Sequence, residues 1–220
     1  MGLAAPCVAF AQPSSGFSLP PPPDAAPISL VGRLGLAVLL PVHEGPLCPA
    51  RARCMLGRGL GIGGTLGWRH ASGFGVGVGY DASVFDGNSV VEIAVLQTLR
   101  FSLRYDTLRE AIGHPFLEVG AGPMLFGDSF LATTPGGMID GQLGVEIELS
   151  PNVSATLSLG TRWFGTRRFT THVDDVVRGA GHRLTGVVFV HAGLLLVSGR
   201  PPHVRRAERR ARRHGRTSIP

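Results

Sequence analysis

Between residues 32 and 197, apolar side chains trade places with polar residues or glycine at every second position, in about eight runs broken by turn-forming residues. A period of two is the signature of a β-strand with two unlike faces. The first run, 32 to 42, puts Leu34, Leu36, Val38 and Leu40 on one side. In the second, 58 to 69, Leu60, Ile62, Leu66 and Trp68 oppose Gly61, Gly63, Thr65, Gly67 and Arg69. The third, 74 to 82, sets Phe74, Val76, Val78 and Tyr80 against three glycines and Asp81. The fourth, 90 to 105, sets Val91, Ile93, Val95, Leu99, Phe101, Leu103 and Tyr105 against Glu92, Thr98, Arg100, Ser102 and Arg104. The fifth, 115 to 127, opposes Leu117, Val119 and Leu125 to Glu118, Gly120, Gly122 and Met124. Two further runs meet at Ser150-Pro151-Asn152, and the last, 183 to 197, sets Leu184, Val188, Val190, Leu194 and Leu196 opposite Arg183, Thr185, His191 and Gly193.

Eight amphipathic strands with short links predict a meander. An open sheet of that size would have two edges to protect, and closure into an up-and-down antiparallel barrel removes them. We therefore expect an all-β, eight-stranded barrel over residues 30–198, with no stretch apolar and long enough for a transmembrane helix.

Three features decide which face is inside. Glycine crowds the polar face, at 61, 63, 67, 75, 77, 79, 120, 122, 144 and 160; bare glycine weakens a water-facing strand but suits a narrow lumen. The large aromatics of the apolar phase, Trp68, Tyr80, Tyr105 and Trp163, fall near the ends of their runs, where a membrane barrel carries its interfacial girdles. The links alternate in length. Those at 43–57, 83–89, 128–137 and 166–182 are long, whereas 70–73 and 150–152 are tight, with 106–114 between them, as in barrels with long outer loops and short periplasmic turns. The apolar face is thus expected to meet lipid. The opposite arrangement, a soluble lipocalin-like barrel binding a ligand on its apolar lining, is the alternative.

With the apolar face outside, the lumen is expected to hold Glu92, Glu118, Asp140, Glu146 and Glu148 against Arg33, Arg69, Arg100, Arg104, Arg162 and Arg183. Eight strands leave an interior that side chains can fill. These near-balanced charges are therefore expected to pair into a plug.

The segments "HPFLEVGAGPMLF" (114–126) and "VEIELSPNVSATLSLGTRW" (145–163) give the chain a family likeness. It resembles the small eight-stranded outer-membrane barrels of the OmpA- and OmpX-like type. The resemblance implies residence in the bacterial outer membrane, contact with the lipid bilayer and lipopolysaccharide, and a structural, envelope or surface-interaction role. It also implies a less favoured enzymatic alternative, a lipid A-modifying hydrolase. Two departures stand out. The last strand closes on "GLLLV" where such barrels commonly end on an aromatic, and the 22 residues after Ser198 are too few for a peptidoglycan-binding domain.

Charge changes the picture only at the C-terminus. The net charge is +6, but residues 200–220 hold eight arginines against Glu208, leaving 13 arginines against 14 carboxylates elsewhere. A nucleic-acid partner is not expected. The tail, 199–220, is expected to be disordered or a short helix, with anionic lipid or cell-wall polymer as its partner. At the other end, residues 1–11 read as a signal-peptide remnant with Ala9-Phe10-Ala11 before Gln12, and 12–29 as a proline-rich lead-in. Cys48 and Cys54 are expected to pair in an exported protein.

Candidate chemistry is sparse. "GLGIGG" (59–64) has dinucleotide-loop spacing but lies within an alternating run with no helix start after it. His172, Asp174, Asp175 and His182 form a polar group in the last long link, where a metal site or an Asp/His hydrolytic pair is the less favoured reading, and His191 on the lumen face is a second candidate base for a hydrolase. No cofactor or metal is expected. The sequence thus predicts a monomeric, non-enzymatic membrane barrel.

Overall fold

The computed structural model describes residues 28–43, 45–49, 52–87, 90–107, 113–128, 131–150, 152–179 and 183–198. The proposed signal remnant, most of the lead-in, Cys7 and the arginine-rich tail lie outside them.

Ten strands follow one another: β1 (Ile28–His43), β2 (Gly59–His70), β3 (Phe74–Asp86), β4 (Ile93–Asp106), β5 (Gly113–Asp128), β6 (Leu131–Ser150), β7 (Val153–Thr166), β8 (Phe169–Thr170), β9 (Val177–Arg178) and β10 (Thr185–Ser198). Eight of them close a barrel in the order β1-β10-β7-β6-β5-β4-β3-β2, while β8 and β9 form a separate small hairpin. Every barrel pairing is antiparallel, and β1 completes the ring against β10 with Leu30 opposite Ser198 and Leu36 opposite Ala192. Both ends of the barrel chain therefore lie at the end where β2 runs into β3 and β6 into β7, the short-turn end.

The alternation sets the faces as expected. Leu34, Leu66 and Leu143 are 68%, 67% and 65% exposed on the exterior, while Arg33, Arg100, Glu118 and Glu146 are buried within. Glycine permits the close interior approaches. A Cβ on Gly120 would sit 2.6 Å from Asp140 Oδ1 and 2.8 Å from Arg100 Cδ, and one on Gly144 would sit 2.5 Å from the Phe116 ring.

Several boundaries differ from the sequence expectation. The link expected at 128–137 shrinks to residues 129–130, because Thr134, Pro135 and Gly137 are strand residues opposite Phe126, Leu125 and Pro123. Their turn-forming character yields to the β5 ladder, which β7 joins on the other side from Gly136 onward. The link expected at 166–182 contains the β8–β9 hairpin. Glu92 precedes β4 and Arg183 precedes β10, and both are exposed. Neither belongs to the lumen, because the alternation runs on for a residue or two beyond the end of the ladder.

Candidate functional site: the lumen and its mouth

The lumen carries two ion-pair clusters. In the first, the Arg33 guanidinium donates two hydrogen bonds to Glu118, both 2.7 Å. Arg100 donates to Oε1 of the same carboxylate at 2.7 Å, sharing that oxygen with Arg33, and approaches Asp140 at 3.4 Å. Arg162 then bridges Asp140 at 3.2 Å and Asp81 at 3.0 Å. In the second, nearer the short-turn end, Arg69 and Arg104 share Glu146, at 2.7 and 2.5 Å, and Asp106, at 3.1 and 2.8 Å. The Arg104 guanidinium also lies 3.8 Å over the Phe116 ring. Three arginines meet three carboxylates in one cluster, and two meet two in the other, so each is neutral by itself. Such local balance is what allows charges to remain away from water.

Asp81 and Asp106 belong to these clusters although the charge inventory taken from the sequence omitted them. Glu148 sits at the rim, 41% exposed at its side chain and 3.5 Å from His114, so it is not an interior member. Its strand has reached the short-turn end, where the ladder shifts register between Glu148 and Ser150.

Above the charges, toward the long-link end, the interior turns apolar. Leu39, Phe85, Leu96, Phe126, Phe164 and Phe189 are buried there, and the connection between β1 and β2 adds Leu47, Met55 and Leu56. Cys48 and Cys54 in this connection are joined by a disulfide. The β8–β9 hairpin lies against the same layer, with Phe169 6.0 Å from Phe126, ring to ring. From this hairpin Arg178, with no exposed surface, donates to the carbonyls of Leu47 and Arg53 at 2.8 and 2.9 Å, to Thr171 Oγ1 at 3.1 Å and to Asp174 at 2.5 Å. A hydrogen bond from the Thr171 hydroxyl holds the Asp174 carboxyl below the usual carboxylate range, helped by the Val176 amide and the Arg178 charge.

The closed barrel of eight antiparallel strands matches known architectures. No family model matches the chain, and no curated protein does. Among solved structures, the chain is similar to the crystal structure of Neisserial surface protein A at 13% identity and a TM-score of 0.57, over 76% of this chain and 96% of that one. It is also similar to the outer membrane protein OprG from Pseudomonas aeruginosa at 14% identity and a TM-score of 0.51, over 77% of this chain and 95% of that one. The fold is that of the small outer-membrane barrels.

The exterior agrees with that fold on physical grounds. A water-soluble monomer rarely exposes a continuous apolar patch beyond a few hundred Å², whereas here outward Leu, Ile, Val and Phe encircle the barrel. Single-chain bacterial barrels with such a band are outer-membrane proteins, and the band places this one there. A lipocalin-like arrangement is ruled out, since the face it would turn inward is outside. Three of the four proposed girdle aromatics lie near strand ends. At the short-turn end Trp68 and Tyr105 face outward, with Phe74 beside Tyr105 at 6.2 Å. At the long-link end the Trp163 ring lies 5.9 Å from His43. Tyr80 is the exception: it lies halfway along β3, opposite Gly64 and Leu99. The glycines and Asp81 around it made the run look shorter than the strand, which continues to Asp86.

The candidate catalytic groups are placed as follows. His191 lies in β10 opposite Ser158 of β7, but the Ser158 hydroxyl donates to Gln142 Oε1 at 2.8 Å. The His191 ring packs over Gly35, with Nδ1 making no hydrogen bond to protein, beside a cavity of about 30 Å³ that Arg33, Arg100 and Arg162 also line. A cavity of that size has room for water. "GLGIGG" lies entirely within β2, so its amides serve the ladder and cannot cradle a phosphate. In the last link His182 is outside the described residues and Asp174 is committed to Arg178. Among the described residues, no three His, Cys, Asp or Glu side chains converge on a metal position.

Proposed function

We propose that this outer-membrane barrel has a plugged, non-conducting lumen, no catalytic activity, and a structural or surface-interaction role carried by its long-link end. The observation that carries this reading is the pair of self-neutral ion clusters, capped by the apolar layer from Leu39 to Phe189. A pore would need charges free to meet hydrated ions, and here five arginines are each held by a carboxylate within 3.5 Å. Its partners on this reading are the bilayer and lipopolysaccharide, with the basic tail resting on anionic lipid or cell-wall polymer and the barrel acting as a monomer.

Planar-bilayer recording of the purified, refolded protein tests the plug. The expected result is no steady conductance, and a persistent ohmic step would refute it. The hydrolase alternative is tested by His191→Ala with lipid A composition as the readout. The expected composition is unchanged, and a shift toward unprocessed lipid A would make the protein an enzyme.

A further inference from the structure

We propose that the Cys48–Cys54 disulfide and the buried Arg178 guanidinium form a redox-sensitive latch that holds the β8–β9 hairpin to the β1–β2 connection over the barrel mouth. Leu47 and Arg53 are the residues immediately before the two cysteines, and their carbonyls converge on the same nitrogen of Arg178, at 2.8 and 2.9 Å. The disulfide brings the two cysteine Cα atoms to 4.2 Å across six residues, and so brings those two carbonyls together. The opposite side of the guanidinium is held by its own hairpin, through Thr171 and Asp174. The seam continues where the Gly179 amide donates to the Pro46 carbonyl at 3.2 Å.

The chemistry of release is thiol–disulfide exchange. A dithiol breaks the Cys48–Cys54 bond and is itself oxidised to a cyclic disulfide. Two electrons and two protons pass to the protein, leaving two free thiols. Cys54 is partly exposed, which gives the attacking thiolate a way in. Once the segment between the cysteines is untied, its recovered chain entropy pulls the two carbonyls apart. A cation wholly buried by those acceptors then has a reason to leave, because an arginine stripped of part of its shell is costly to keep from water. Asp174 travels with it, so the hairpin goes as a unit. Leu47, Met55 and Leu56, which the connection inserts into the apolar layer, lose their anchor. The barrel ladders contain none of these bonds and stay closed.

Hydrogen exchange on the full-length protein in phospholipid vesicles tests the latch, with dithiothreitol as the reductant. Reduction is expected to speed exchange at least tenfold in both 169–179 and 52–58, with β5 and β6 unchanged and the heat-dependent gel shift retained. In the oxidised protein, Arg178→Gln should speed exchange at 52–58 with the disulfide intact, and subsequent reduction should add nothing at 169–179. The Cys48→Ser/Cys54→Ser double variant should match the reduced protein. The proposal is overturned if reduction leaves 169–179 at the oxidised rate, if Arg178→Gln leaves 52–58 protected, or if the barrel strands open together with the hairpin.

Discussion

Neutralising Glu118 isolates the contribution of the interior ion pairs. Its carboxylate is buried and accepts two hydrogen bonds from Arg33 and one from Arg100, all at 2.7 Å. In Glu118→Gln the side-chain volume is kept, but three arginines then face only Asp140 and Asp81, and the cluster carries an unbalanced positive charge. Removing one partner of a buried pair costs roughly 3–5 kcal/mol, because the partner left behind stays buried and uncompensated. The one carboxylate left to Arg100 is Asp140, at the longer 3.4 Å, so the upper part of that range is expected. In the double variant Arg33→Met/Glu118→Gln, Arg100 and Arg162 face Asp140 and Asp81, and neutrality returns. Its cost should be less than half that of the single change, since replacing both members of a buried pair is often close to neutral. Urea unfolding in lipid vesicles, followed by tryptophan fluorescence and gel mobility, measures both. A single-variant loss below about 1 kcal/mol would refute the reasoning, as would a double variant at least as unstable as the single one.

Other consequences are as direct. Leu66→Arg, on a side chain 67% exposed on the exterior, should cost roughly 2–4 kcal/mol in the same vesicles if that position lies near the bilayer midplane; an unchanged midpoint would place it in water. Gly144→Val puts a branched side chain against the Phe116 ring, 2.5 Å from its Cβ. It should destabilise the barrel by about 1–3 kcal/mol, most simply read as a lower urea midpoint. Because the Asp174 pKa is depressed in the folded protein, chiefly by the Thr171 hydrogen bond, its stabilising effect is fully present above the ordinary carboxylate pKa and is lost as pH falls through the folded value. Exchange protection at 169–178 should therefore persist down to about pH 4 and fall only on further acidification; loss between pH 7 and 5 would contradict the assignment.

The apolar and polar faces of the strands were legible in the sequence because strand periodicity is local. Leu34, Leu36, Leu60 and Ile62 point outward through nothing more than the two-residue repeat, and an alternating pattern opposite glycines marks a narrow interior. Closure followed from the same pattern, since eight half-apolar strands leave no sheet edge that water could tolerate. The interior arginines could also be named, because Arg33, Arg69, Arg100, Arg104 and Arg162 lie in phase with those glycines.

Other features needed the tertiary structure. Arg33 and Glu118 are 85 positions apart, and which carboxylate meets which arginine depends on the stagger of every intervening strand. Asp106 read as a link residue and Glu92 and Arg183 as strand residues, because alternation has no sharp stop while a hydrogen-bonded ladder does. Thr134 to Gly137 carry turn residues, yet pairing with β5, joined from Gly136 onward by pairing with β7, makes them strand. Arg178 was least legible, as one arginine in a polar link. It is fully buried where the carbonyls of Leu47 and Arg53, 131 and 125 positions away in the chain, meet on its guanidinium. The sequence by itself determined the faces and the closed topology, through interactions between near neighbours and solvent. The tertiary structure decided the pairing of charges and the burial of Arg178, since both depend on distances between residues remote in the chain.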